Sequence, residues 1–335
     1  IPVIGAGNIK RMEDVKKLRD LTSAGFMDCK KALAEANGDF DEAVKLIRER
    51  GQAVAAKRSD REATEGCVLA GVNGNFAALV AIKCETDFVA RNEDFINMTK
   101  TVLDTVLAAK PATAEEIPSL KVGDVTVQDL IIERSGVTGE KMEFGGFESL
   151  TGESVIAYVH PGNKLASLVS FKESGVDAKV GKNIAMQVAG MNPVALDEAN
   201  VPEDVKKREY ELAVEKTKEE QVEKAVENAI KKAGINPNLV DSEDHIASNI
   251  RKGWLTEEEA NKAKEIRATV SAEKAANLPT QMIENIAKGR LNKFFKESCL
   301  VDQEYFMDPK LKVHEYLKSV NANVAAFKRF TLNQE

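Results

Sequence analysis

The chain has 335 residues, 43% hydrophobic and 30% charged, which is enough for two or three units each with its own core. A net charge of −7 and only 5% aromatic residues argue against a nucleic-acid binder, which needs a basic face and stacking rings. No apolar run is long enough to span a bilayer. Cys29, Cys67, Cys84 and Cys299 lack C-x-x-C spacing and read as reduced thiols; with no signal peptide, a cytoplasmic location is expected.

Residues 1–11 precede Met12 and read as a leader or tag-like extension. Their Gly5-Ala6-Gly7 resembles a dinucleotide turn only in part, because Lys10 stands where the third glycine belongs and a helical pattern follows. An enzyme using that glycine pair is therefore an alternative with an incomplete fingerprint. Residues 12–56 predict a three-helix domain. Val15, Leu18 and Leu21 share one face; Asp28 begins a second helix that Asn37-Gly38 ends, and Asp39 caps a third carrying Ala43, Val44 and Ile47. The alanine-rich, charged stretch Ala53 to Glu65 reads as a linker.

A core subdomain is expected over 66–150. Cys67 to Val72 and Phe76 to Lys83 alternate as strands about an Asn73-Gly74 turn, and a helix carrying Phe95, Met98, Val102 and Val106 stops before Pro111. The same order returns in a second subdomain, expected over 151–204 and 289–335. There Ser154 to Val159 and Leu165 to Phe171 flank Pro161-Gly162-Asn163, and a helix through Val180, Ile184 and Val188 stops before Pro193. The hairpins lie 89 residues apart (Val80, Val169) and the helices 82 apart (Pro111, Pro193). The first copy thus carries about seven extra residues around Glu85 to Asn92, and a longer loop on a duplicated scaffold points to added function. Residues 205–288 read as an inserted antiparallel helical hairpin of coiled-coil character, its apolar stripes narrow and charged between. A helix near Val313 and a strand from Ala325 complete an α+β fold.

His160, His245 and His314 fall in separate segments without a ligand at i+3 or i+4, and no P-loop or G-x-S-x-G set is present. Neither metal, cofactor nor covalent catalysis is expected. The extra loop holds the strongest candidate site, with two readings open on residues alone. Thr86 and Asp87 cap the next helix with Phe88 packed beneath it, or Phe88 protrudes as an apolar wedge beside an acidic cap, as interface anchors do.

The run Cys84-Glu85-Thr86-Asp87-Phe88-Val89-Ala90 resembles the T-D-F-V signature of the elongation factor Ts family. Leu18 to Leu33 with Gly38-Asp39, then Ile184 to Ala189, then Gly289 to Phe294 resemble three further segments of that family, in order. The resemblance implies an exchange factor, not an enzyme, that binds elongation factor Tu and promotes GDP release during translation elongation. It implies a ubiquitin-associated-like N-terminal bundle that, with the first core copy, grips the G domain of elongation factor Tu, and a second copy that holds its domain 3. Carried over, Phe88 is the wedge near the Mg-phosphate site, with Asp87, Thr86 and Val89 around it. Met27, Cys29, Lys30 and Lys57 are contacts of the N-terminal unit. Gly139 and Glu140 touch the G domain, and His160 and Lys182 lie near domain 3. Asn183 stands where many members carry histidine, and the segment 217–276 is longer than in short-hairpin members. Its role stays open between homodimerisation and none, and the C-terminal helical module of some members is expected to be missing. The alternative from another class is a ubiquitin-associated-like adaptor without exchange activity.

Overall fold

In the computed structural model, which describes residues 6–22 and 24–333, the chain is a mixed α+β protein. One unit runs to Pro193 and resumes at Tyr305; the other covers Val194–Glu304. Residues 1–5 of the expected leader lie outside the described residues, and from Ala6 the backbone already belongs to α1 (Ala6–Thr22). With α2 (Phe26–Glu35) and α3 (Phe40–Lys57) it packs around Val15, Leu18, Cys29, Ala32, Leu33, Val44 and Ile47. The Asp39 carboxylate caps α3 by accepting the Glu42 N–H at 3.0 Å. The linker expected from Ala53 begins later: Ala53, Ala55 and Ala56 favour helix, and α3 continues through them to Lys57.

β1 (Glu65–Asn73) and β2 (Phe76–Cys84) pair antiparallel with Asn73 opposite Phe76. The turn residues are therefore Gly74 and Asn75, one place beyond the expected pair, with Gly74 taking the positive φ of 63°. After α4 (Asp87–Ala90) and α5 (Glu93–Ala109) come a short ribbon, β3 (Lys121–Val122) with β4 (Val125–Thr126), then α6 (Val127–Thr138) and β5 (Met142–Thr151). β5 joins β2, so β2 is a central strand buried on both faces. Phe76, Ala78, Val80 and Ile82 join a cluster with Phe95, Val102 and Ile131; Ala77, Leu79 and Ala81 turn the other way.

β6 (Ser154–Val159) and β7 (Leu165–Phe171) flank the proline-glycine turn, and α7 (Ala178–Met191) covers them. Ala166 and Leu168 of β7 meet Leu79 and Val68, closing the two sheets over a shared core.

The second unit is not a single helical hairpin. It holds α8 (Glu203–Lys232), α9 (Glu243–Arg251), α10 (Glu257–Ala276) and α11 (Thr280–Ser298). Two caps start fresh helices inside the charged stretch: Ser242 accepts the His245 N–H at 3.2 Å, and Thr256 forms a reciprocal capping box with Glu259. Val226 and Ile230 of α8 pack against Ile246, Leu255, Ala260 and Ala263. The expected limits 205 and 288 fall inside α8 and α11: α8 starts earlier, just after Pro202, and α11 runs through Gly289 without a break. The chain then passes through β8 (Glu304–Tyr305), β9 (Asp308–Lys312) and α12 (Val313–Ser319) to β10 (Val324–Thr331). β10 pairs with β7 and gives the sheet order β10-β7-β6.

Candidate functional site

β2 ends at Cys84 against the core, and the chain turns into α4, one turn of helix. Thr86 is its N-cap, accepting the Val89 N–H at 3.4 Å. Ala90 is buried and Val89 half-buried against the core cluster, so the same turn that anchors them drives Phe88 outward. Phe88 is 84% exposed, the highest among the large hydrophobic side chains of the described residues. Of the two readings of this loop, packing of Phe88 beneath the next helix is excluded, and so is the capping of α5 by Thr86 and Asp87. Asn92 caps α5 by accepting the Asp94 N–H at 2.9 Å, while Thr86 caps only α4, of which Asp87 is the first residue. Asp87 sits half-buried beside it and pairs with Arg91 at 3.3 Å.

Three joints of the chain meet behind this helix. The Glu140 carboxylate accepts from the Thr86 N–H at 3.1 Å and from the Thr86 hydroxyl at 2.6 Å. The Glu85 carboxylate accepts from the Lys141 N–H at 2.6 Å and pairs with Arg58 at 3.2 Å. Lys141 Nζ donates to the carbonyls of Ser59 and Arg61, at 3.1 and 3.0 Å, just past α3. Burial, then the Glu140 and Glu65 carboxylates, push the Cys84 thiol up to about 12. It therefore stays protonated and donates to the Thr86 carbonyl at 3.3 Å.

The other expected site residues divide. Met27, Lys30 and Lys57 are exposed, with Met27 at 69%. Cys29 is not a surface contact: α2 starts at Phe26, which puts Cys29 on the inner face with Ala32 and Leu33, and it is fully buried. Gly139 ends α6 with φ 73°, and Glu140 follows with its carboxylate already engaged by Thr86. His160 and Lys182 are exposed, and the Tyr158 hydroxyl lies 3.0 Å from His160 Nδ1. Asn183 points its amide to the Tyr305 hydroxyl at 2.9 Å.

Asp87 and His160, expected at different domains of a partner, line one cleft of about 460 Å³ together with Arg91, Pro161, Gly162 and Lys164. Arg58, Glu85, Arg91, Lys141 and Lys164 were not singled out in the sequence. Only Glu85 and Arg91, which flank the T-D-F-V run, carried any local signal. Lys141 and Lys164 act on residues far along the chain; Lys164 pairs with Glu65.

A family profile described as Elongation factor TS matches residues 85–236 and 227–334. The elongation factor Ts of Bacteroides fragilis is 58% identical over 97% of this chain and 99% of its own length. That of Parabacteroides distasonis is 56% identical over 97% and 99%, and that of Porphyromonas gingivalis 40% identical over 97% and 98%. No helix among the described residues is long and apolar enough to cross a membrane.

Proposed function

The chain belongs to the elongation factor Ts family, and from that premise we propose that it is the guanine-nucleotide exchange factor of elongation factor Tu, a cytoplasmic protein working by binding and not by covalent chemistry. One observation carries this reading beyond family membership: an aromatic ring 84% exposed on a helical turn anchored at both ends. An apolar side chain held out in water gains by entering a partner, and its fixed backbone lets that gain be used to displace the partner's own groups.

Phe88 with Asp87 enters elongation factor Tu near its Mg-phosphate site. The three-helix bundle, of ubiquitin-associated-like form, grips the G domain through the exposed Met27, Lys30 and Lys57 together with the first hairpin-and-helix copy. The second copy, with His160 and Lys182, meets domain 3. Because Asp87 and His160 line one cleft, the surface presented to the two domains is continuous. Val194–Glu304 is the helical insertion.

The energetics are those of linkage. If this protein weakens GDP binding by some factor, GDP weakens binding of this protein by the same factor. Moving the nucleotide from mostly bound to mostly released takes about 5.5 kcal/mol of differential binding. Burial of one aromatic side chain supplies about 1.5–3 kcal/mol, so Phe88 acts with the bundle and second-copy contacts and not alone. Stopped-flow release of fluorescent GDP from elongation factor Tu, with and without this protein, tests the reading. Acceleration is expected; an unchanged release rate would refute it.

A further inference from the structure

We infer that Glu140 is a positioning residue for Phe88, an inference that rests on the exchange reading above. A single helical turn does not hold itself in water, since the cost of fixing its first residues exceeds what one hydrogen bond returns. α4 has four residues, and Phe88, lying largely in solvent, cannot steady it. The direction of the ring is therefore set by what grips the two ends of the turn. Val89 and the buried Ala90 hold the C-terminal end through the core.

The N-terminal end lacks its usual local partner. In a capping box the third helical residue is Glu or Gln, and its side chain accepts the N-cap N–H. Here the N-cap is Thr86 and the third residue is Val89, which has no acceptor. Glu140 supplies the missing carboxylate from 54 residues away, taking both the Thr86 N–H at 3.1 Å and its hydroxyl at 2.6 Å. Glu140 is itself fixed. It follows the left-handed cap Gly139, its carbonyl accepts from the Ser135 hydroxyl, and the next N–H, that of Lys141, is held by Glu85. Without Glu140, the N-terminal end of α4 keeps only the long Thr86 cap on the Val89 N–H and the weak thiol donation from Cys84 to the Thr86 carbonyl, and the ring at position 88 loses its fixed approach.

The test is GDP release from elongation factor Tu at increasing concentrations of wild type, Glu140→Ala, Glu140→Gln, Phe88→Ala and the double variant Glu140→Ala/Phe88→Ala. For Glu140→Ala the maximal release rate is expected to fall about tenfold, with the half-saturating concentration within about twofold. Glu140→Gln is expected to stay within about threefold of wild type, because its amide oxygen accepts the Thr86 N–H while its NH2 donates to the Thr86 oxygen. Since Glu140 acts through Phe88, adding Glu140→Ala to Phe88→Ala should cost less than twofold more, the coupling that a double-mutant cycle isolates. Should Glu140→Ala unfold, Thr86→Val removes the hydroxyl half of the same contact together with the cap on the Val89 N–H, and is expected to lower the maximal rate at least about threefold.

The inference is overturned if Glu140→Ala, or Thr86→Val in its place, releases GDP at the wild-type rate. It is equally overturned if the loss persists in full in the Phe88→Ala background. A wild type that leaves GDP release unchanged sinks the exchange reading and this inference with it. A wild type that accelerates release, with an indifferent Glu140, sinks this inference alone.

Discussion

Replacing Phe88 by alanine separates the folding of this protein from its action. The side chain is 84% exposed, so almost none of its apolar surface contributes to the fold. The folded state should lose no more than about 0.5 kcal/mol, the usual range for an exposed site. In the complex the same surface is expected to be buried, and full burial of a Phe side chain contributes about 1.5–3 kcal/mol. If that energy is used mainly while GDP leaves, the maximal release rate falls by about ten- to a hundredfold, at about 1.4 kcal/mol per tenfold. The concentration of this protein that half-saturates the effect should change far less. The assay is stopped-flow release of fluorescent GDP from elongation factor Tu, with a urea denaturation of the variant beside it. Three results would refute the reasoning: a release rate equal to wild type, a loss confined to the half-saturating concentration, or a large drop in the urea midpoint.

Three further outcomes follow from the packing and the buried thiols. A Cβ on Gly136 of α6 would stand 2.3 Å from the Gly51 Cα of α3, so Gly136→Ala should cost at least about 1–3 kcal/mol by overpacking, read as a lower urea midpoint. Asp39→Ala removes the α3 cap and should cost about 1 kcal/mol, visible as faster amide exchange in the first turns of α3. Burial raises all four cysteines, Cys67 and Cys299 to about 11 and Cys84 to about 12 from the ordinary 9.0. Their folded pKa values lie above the unfolded ones, so between pH 9 and 12 the unfolded chain binds fewer protons and stability falls as pH rises. Below pH 9 these thiols should leave stability flat and label slowly with iodoacetamide; rapid labelling of the native protein at pH 8 would contradict their burial.

Much of the fold was legible where local chemistry is strong. The second hairpin stood out because Pro161-Gly162-Asn163 punctuates two apolar runs, and α5 and α7 because their apolar periodicity stops just before a proline. β5 was not legible. Its residues Met142–Thr151 carry Gly145-Gly146 and little alternation, which is weak strand chemistry. The glycines make sense only in three dimensions, since a Cβ on Gly146 would meet the Phe330 ring at 2.3 Å. α6 hid for a related reason, with Gly136 lowering its helix signal so that α3 can approach. At the site, the T-D-F-V run marked the tip but not its support. The contact between Thr86 and Glu140 spans 54 residues, and no single-sequence pattern encodes such a distance. Cys29 was misread because a family motif marks residues that build a surface as well as those that form it.

The pairing of β10 with β7 has a consequence for synthesis. Ser170 and Ala326 bond across that seam although 156 residues separate them, whereas the first sheet is complete by Thr151. As the nascent chain leaves the ribosome, β7 emerges with one bare edge and waits while the whole helical insertion is made. An apolar strand with one edge unpaired in that interval is a template for wrong partners. A polypeptide stalled or clipped before residue 324 would carry a finished first sheet and α4 on a body whose second sheet lacks its third strand.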